Sequence, residues 1–175
     1  THDIATLGLW GPKAVEALGN FIEPNEIDIK NFPFVSAKNL TLNLSGGKKV
    51  DVWAARISYV GESGWEIYFN NNKADGLALY DSLLEVGVVP VGIETYANSR
   101  RLEKSFRLQG ADLETEYTAI EAAIQRPLVK EADFHGKAAH LAQREEDPCA
   151  ILCTMTLDDL NVSGKTRYPV GISPI

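Results

Sequence analysis

The sequence predicts an α/β fold of mixed, largely antiparallel sheets with helices packed on them. Three observations lead there. Short apolar segments are punctuated by Gly46-Gly47 and by Gly61 and Gly64, as antiparallel strand connections are. Residues 72–86 carry helical periodicity with cap residues at both ends. A hydrophobic share of 45% over 175 residues, with 23% charged, is ordinary soluble globular composition and enough for a core.

The elements follow in order. Residues 4–9 are a short apolar run, and Gly11-Pro12 then opens a helix-like stretch at 13–21, where Pro12 suits the first turn. Residues 23–34 are irregular and largely polar. Residues 35–44 alternate weakly and end at Gly46-Gly47. Residues 50–60 read as a strand and 65–69 as another, with Trp65, Ile67 and Phe69 on one face. The turn Gly61-Glu62-Ser63-Gly64 joins them. In the helix at 72–86, Leu77, Tyr80 and Leu84 repeat at helical spacing, Asn70 to Asn72 offer caps, and Gly87 fits the position after the end. Beyond it, 88–93 reads as a short strand, and 95–105, 119–124 and 137–144 as helices. Glu145-Glu146-Asp147-Pro148 looks like a boundary, followed by a strand at 150–157. A strand with only polar turns behind it is an unfinished sheet. The expected division is therefore a body at 1–144 and the truncated start of a second domain at 145–175.

A net charge of −7 argues against a broad nucleic-acid or anionic-membrane surface, which needs many lysines and arginines. No apolar run approaches the roughly 18 residues of a membrane span. Thr1-His2-Asp3 carries neither the basic region nor the apolar core of a secretion signal. Cys149 and Cys153 lie four apart in the expected last strand, about 13 Å from each other. They cannot bridge there, and read as small buried hydrophobes in a reducing compartment. His2, His135 and His140 are scattered, and none completes a triad or a metal-ligand pattern.

Two stretches could carry chemistry. In the first, Gly61 and Gly64 bracket Glu62, with Tyr59 and Trp65 on the flanks. Such a turn can present a carboxylate to a planar ligand offering two parallel N–H donors, as a pterin ring does, with an aromatic face packed on it. The alternative is an ordinary hairpin with a solvated glutamate at its tip. In the second, Arg100, Lys104 and Arg107 share a helix face at i, i+4 and i+7, the densest basic patch in the chain. It could hold a ligand carboxylate, or be a solvated face laced by Glu103 with Arg100 and Arg107.

Residues 56–67 closely resemble the Arg-x-x-Tyr-Thr-Gly-Glu-x-Gly-aromatic-Glu-Ile signature of the glycine-cleavage T-protein (aminomethyltransferase) family. Leu7-Gly8-Leu9-Trp10-Gly11-Pro12-Lys13-Ala14 is similar to the family's Leu-x-Gly-Pro-x-Ala helix entry. Ser99-Arg100-Arg101-Leu102-Glu103 is similar to its Ser-Leu-Arg-Leu-Glu helix. The continuation Lys104-Ser105-Phe106-Arg107 is more like the dimethylglycine and sarcosine dehydrogenase branch. Asp133-Phe134-His135-Gly136-Lys137 resembles the segment preceding the family's C-terminal barrel, and residues 152–157 with 167–175 resemble the start of that barrel.

The resemblance implies a tetrahydrofolate-binding module that passes a one-carbon unit onto folate nitrogens. Glu62 matches the pterin-binding glutamate, Tyr59 and Trp65 would lie near the ring, and Arg101 matches the arginine of Ser-Leu-Arg-Leu-Glu. The family has a further arginine four residues earlier, where this sequence has Ala97, and the stretch after Gly92 is one residue longer. Arg100 or Lys104 is the nearby substitute. The family's catalytic aspartate would lie upstream, so the chain by itself is expected to be inactive. The implied partners are folate, a small methylated amine and a fused or separate flavin (FAD) dehydrogenase part, in the cytoplasm or mitochondrial matrix, with no nucleic acid, membrane or metal. Two rivals stand beside this reading: a folate-dependent O- or S-demethylase, and a non-catalytic folate-binding or regulatory protein.

Overall fold

The computed structural model describes residues 3–124 and 128–156, and the chain divides into two compact units, Thr1–Ala111 and Asp112–Ile175. In the first unit, β1 (Ile4–Trp10), β2 (Ala37–Asn43), β3 (Lys49–Ala55) and β4 (Gly64–Asn70) form one open sheet in the order β1-β4-β3-β2. All three pairings are antiparallel. The fold class read from the sequence therefore holds, as an antiparallel sheet with helices.

Strand alternation gives this sheet two different faces. Leu9, Leu40, Leu42, Val50, Val52, Ala54, Trp65, Ile67 and Phe69 point to one side and are buried. That face is closed by α1 (Ala14–Leu18), α2 (Pro24–Ile27) and α3 (Lys73–Glu85), through Leu18, Ile27, Leu79 and Leu83, together with Phe21 and Phe32. The other side carries Gly8, Trp10, Thr41, Asp51, Trp53, Glu66 and Tyr68. No helix of the described residues is long and apolar enough to cross a membrane.

Helix α3 has the ends the sequence foretold. The Asn72 side chain accepts the Asp75 backbone N–H at 2.8 Å, and Lys48 pairs with Asp75 at 2.7 Å. Past the helix, Gly87 and Val88 donate backward to the carbonyls of Leu84 and Leu83, closing a Schellman-type end.

Three expected elements of the first unit are corrected. The strand read at 50–60 stops at Ala55, because the Ile57 N–H turns back onto the Ala55 carbonyl at 3.0 Å. Residues 56–63 are thus a loop and not the arms of a tight hairpin. Residues 88–93 form no strand: they have no strand neighbour among the described residues, Pro90 lacks an amide donor, and Val89, Val91 and Ile93 are exposed. The helix read at 95–105 is a π-helical turn, Thr95–Arg100, running into α4 (Arg101–Glu103), and it ends where Ser105 takes a φ of 59°. The basic residues Lys104 and Arg107 therefore lie beyond the helix and do not share a face with Arg100.

In the second unit, residues 119–124 make turns, not a helix. Thr118 and Glu121 cap each other's N–H groups at 3.1 and 2.9 Å, but Ala123 at φ 54° reverses the chain after one turn. Helix α5 (Lys137–Gln143) forms as expected, entered from Gly136. Residues 151–156 have no regular structure, and Cys149 and Cys153 are exposed, not buried in a strand. Without a partner strand among the described residues, that segment has nothing to bury its thiols against. Leu157 and the barrel-like residues 167–175 lie outside the described residues.

Candidate functional site

The loop at residues 56–63 is anchored at both ends. At its start, the buried Arg56 guanidinium donates to the carbonyls of Ile27 at 3.1 Å and Phe32 at 2.7 Å, and lies 5.0 Å from the Trp65 ring. Burial lowers the Arg56 pKa, and the Asp28 charge partly offsets this. At its end, the Ser63 carbonyl accepts the Gly11 N–H at 2.9 Å, and Gly64 abuts β1. A Cβ on Gly64 would stand 1.9 Å from the Leu9 carbonyl oxygen, at a φ of +151° that side chains rarely adopt.

Within the loop, the Ser58 hydroxyl accepts the Glu62 N–H at 3.1 Å. The Glu62 carboxylate pairs with the Lys104 ammonium at 3.5 Å, both half-exposed. Lys104 reaches it by laying its stem across Gly61. The Tyr59 hydroxyl donates to the Arg107 carbonyl at 2.8 Å, which ties this loop to the segment after α4.

An aromatic row runs beside Glu62. The Trp10 indole stacks on Tyr96 with centroids 5.0 Å apart, Tyr96 meets Tyr59 at 5.5 Å, and Tyr59 meets Phe106 at 6.1 Å. Trp10 can lie there because Gly8, two residues back on the same face, leaves room: a Cβ at Gly8 would stand 2.0 Å from the indole. The Trp10 Nε1–H also donates to the Ile57 carbonyl at 3.0 Å. Burial first, and then the Glu66 charge, raises the Tyr96 pKa. Trp10, Pro12, Val60, Glu62, Tyr96 and Arg100 line a cavity of about 310 Å³. A larger one of about 1040 Å³ lies farther along the open face near Asn39, Asp51 and Trp53, and Glu62, Tyr59, Trp65, Arg100 and Arg101 do not line it.

The structure thus brings Glu62, Tyr59 and Arg100 to one region. Trp65 is turned away from it. The alternation of β4 sends its indole into the core, fully buried against Phe32 at 6.2 Å, and its Nε1 has no hydrogen-bond partner among the described residues. Arg101 is buried as well, donating to the Ala97 carbonyl at 2.7 Å and the Phe106 carbonyl at 3.1 Å, so it braces the segment that carries Tyr96 and Arg100. Arg100 pairs with Glu103 at 2.9 Å, the solvated pairing that was the plainer reading of this patch.

The family model described as the GCVT N-terminal domain matches residues 1–131. The chain belongs to this family. That membership bears out the resemblance read from the loop signature. The chain is 33% identical over 172 residues to human mitochondrial dimethylglycine dehydrogenase, covering 94% of this chain and 19% of that protein. It is 32% identical over 178 residues to an aminomethyltransferase of Bacillus cereus, covering 98% and 46%. An aminomethyltransferase of Listeria innocua is 32% identical over 175 residues, at 99% and 45% coverage. The chain therefore spans less than half of these aminomethyltransferases and about a fifth of the dehydrogenase.

For this GCVT-family chain, sequence reasoning passed over Trp10 and Tyr96, the two aromatics that wall the cavity. A signal for Trp10 was present, since a glycine two residues before a bulky aromatic in a strand leaves it a same-face space. Tyr96 had none, because its position depends on the π-helical turn.

Proposed function

We propose that this chain is the pterin-holding part of a tetrahydrofolate-dependent one-carbon transferase, acting on a small methylated amine. The observation that carries the reading is Glu62, whose backbone N–H is held by Ser58 and which lines a cavity walled by stacked aromatics. A carboxylate matches two parallel N–H donors of a pterin edge, and Tyr59, Tyr96 and Trp10 offer faces for the ring. The pairing with Lys104 is no obstacle, since an exposed ion pair is worth about 0–1 kcal/mol and yields to a bidentate partner. Arg100 and Lys104 supply cations for ligand carboxylates, while Arg101 and Trp65 act from within, bracing the segments that present these groups.

Tetrahydrofolate would supply the nitrogens that take up the one-carbon unit. This chain's residues would hold and orient the pterin, so that its contribution to rate is positioning. The group that orients the reacting nitrogen is assigned to the remainder of the parent protein, as is a flavin dehydrogenase part oxidising the amine. The dehydrogenase relative, of which this chain covers 19%, supports such an arrangement.

Calorimetry of folinic acid binding to the full-length protein tests the reading. Glu62→Gln is expected to weaken binding by about 1–3 kcal/mol, the value of a hydrogen-bonded charged group. Equal binding by variant and wild type would remove Glu62 from the ligand and the reading with it.

A further inference from the structure

Helix α3 is apolar on two sides. Leu79 and Leu83 close the core, but Leu77, Tyr80 and Leu84, at i, i+3 and i+7, form a second stripe that faces outward. Leu77 is 50% exposed, and the chain leaving the helix continues the stripe through Val89, Val91 and Ile93, at 75, 66 and 70%. Tyr80 and Leu84 share a groove of about 450 Å³ with those three residues, so helix and following segment make one continuous patch. Beside it the N–H groups of Val89 and Val91 have no hydrogen-bond partner among the described residues. The Trp10–Tyr96 stack is the wall this groove shares with the cavity beside Glu62. Apolar residues on both sides are the pattern of a helix buried on both sides, and a contiguous exposed patch of this kind marks an interaction surface.

We propose that the outer stripe of α3 and residues 88–93 are an internal interface, the surface on which the part of the parent polypeptide outside residues 1–175 docks. Its chemistry suits a packed polypeptide: apolar side chains fill the groove, and main-chain carbonyls take the two open N–H groups. The chain covers 46% of the Bacillus cereus aminomethyltransferase and 45% of the Listeria innocua one, so more than half of each polypeptide lies outside the matched stretch. A covalently linked segment meets the patch at high effective concentration. A second copy suits it less. Each copy carries a net charge of −7, and each would bring the exposed Asp81 and Glu85 to the border of the contact. The patch needs no ligand for this role, which is independent of the folate reading.

Photocrosslinking in the full-length protein tests it, with benzoylphenylalanine introduced at Leu77 in one variant and at Val89 in another. After irradiation in dilute solution, digestion and mass spectrometry, both are expected to be joined within one polypeptide to peptides outside residues 1–175. Crosslinks between two copies, crosslinks confined to this chain's own residues, or none at all would overturn the proposal. Thermal unfolding of the full-length protein is the second measurement. Leu77→Lys combined with Leu84→Lys is expected to lower its Tm by several degrees, because lysines at a packed interface lose apolar contacts and bury charge, whereas on a solvated face they change little. An unchanged Tm would place the stripe in solvent and overturn the proposal. Should the double variant fail to fold, Leu77→Lys alone carries this measurement, with the same two outcomes.

Discussion

Replacing Arg56 by Met tests how the Glu62 loop is held. The guanidinium is 7% exposed and donates to two main-chain carbonyls, those of Ile27 and Phe32, in the irregular stretch around α2. Met keeps most of the stem's packing against Trp65 but strands both carbonyls. A buried acceptor left without its donor costs about 1–3 kcal/mol, so two cost about 2–6. Against this stands relief from burying a cation, the same desolvation that lowers the Arg56 pKa. The net expectation is a loss of about 2–4 kcal/mol. In urea, at a slope of about 2 kcal/mol per M, the midpoint should fall by about 1–2 M with the slope unchanged. A shift below about 0.5 kcal/mol, or a gain in stability, would refute the reasoning. It would mean that burying the charge costs as much as its two hydrogen bonds return.

Two further outcomes follow from the loop's surroundings. Gly64→Ala places a methyl group against the Leu9 carbonyl at a backbone angle alanine avoids, and is expected to cost more than about 2 kcal/mol in thermal or urea unfolding. Unchanged stability would mean that β1 and β4 can part without penalty. Tyr68 has its pKa pushed up to about 12, first by its hydrogen bond to Glu66 and then by desolvation. The folded value lies above the unfolded one near 10, so the stabilising contribution is complete below about pH 10 and lost as pH rises through about 12. Phenolate absorbance should show a late titration step that Tyr68→Phe removes; ionisation of every tyrosine together near pH 10 would contradict the Glu66–Tyr68 pairing.

What the sequence made legible is what local chemistry decides. The core face of β4 follows from alternation alone, and the span of α3 from helical spacing with Asn72 and Gly87 as its ends, although the repeating Leu77, Tyr80 and Leu84 lie exposed and Leu79 and Leu83 face the core. The loop signature placed Glu62 and Tyr59 on one short segment, and the structure keeps them together. Where the reading failed, a contact distant in sequence had overruled a local pattern. The apolar string at residues 57–60 looks like more strand, yet the Arg56 side chain turns into the core and the Trp10 indole takes the Ile57 carbonyl, so the ladder ends. The basic residues at 100, 104 and 107 fit a helix wheel, yet the chain leaves the helix at Lys104, and that departure brings its stem over Gly61 to Glu62.

The same contrast explains why Trp65 read as part of the site while Trp10 did not. Trp65 adjoins Glu62 in sequence, but a residue one step into β4 faces opposite to Gly64 and Glu66, and the odd positions of this strand are its core positions. Trp10 is far from Glu62 in sequence, yet its strand partner is Gly64, two residues past the glutamate. Antiparallel pairing therefore exchanges the two indoles. The neighbour in sequence supports the sheet from beneath, and the partner across the ladder walls the cavity. Gly8 and Gly64 are what make this exchange possible. One leaves space for the indole to lie down, and the other lets β4 begin against the Leu9 carbonyl. A side chain at either would lift Trp10 off Tyr96 and disturb both cavities together.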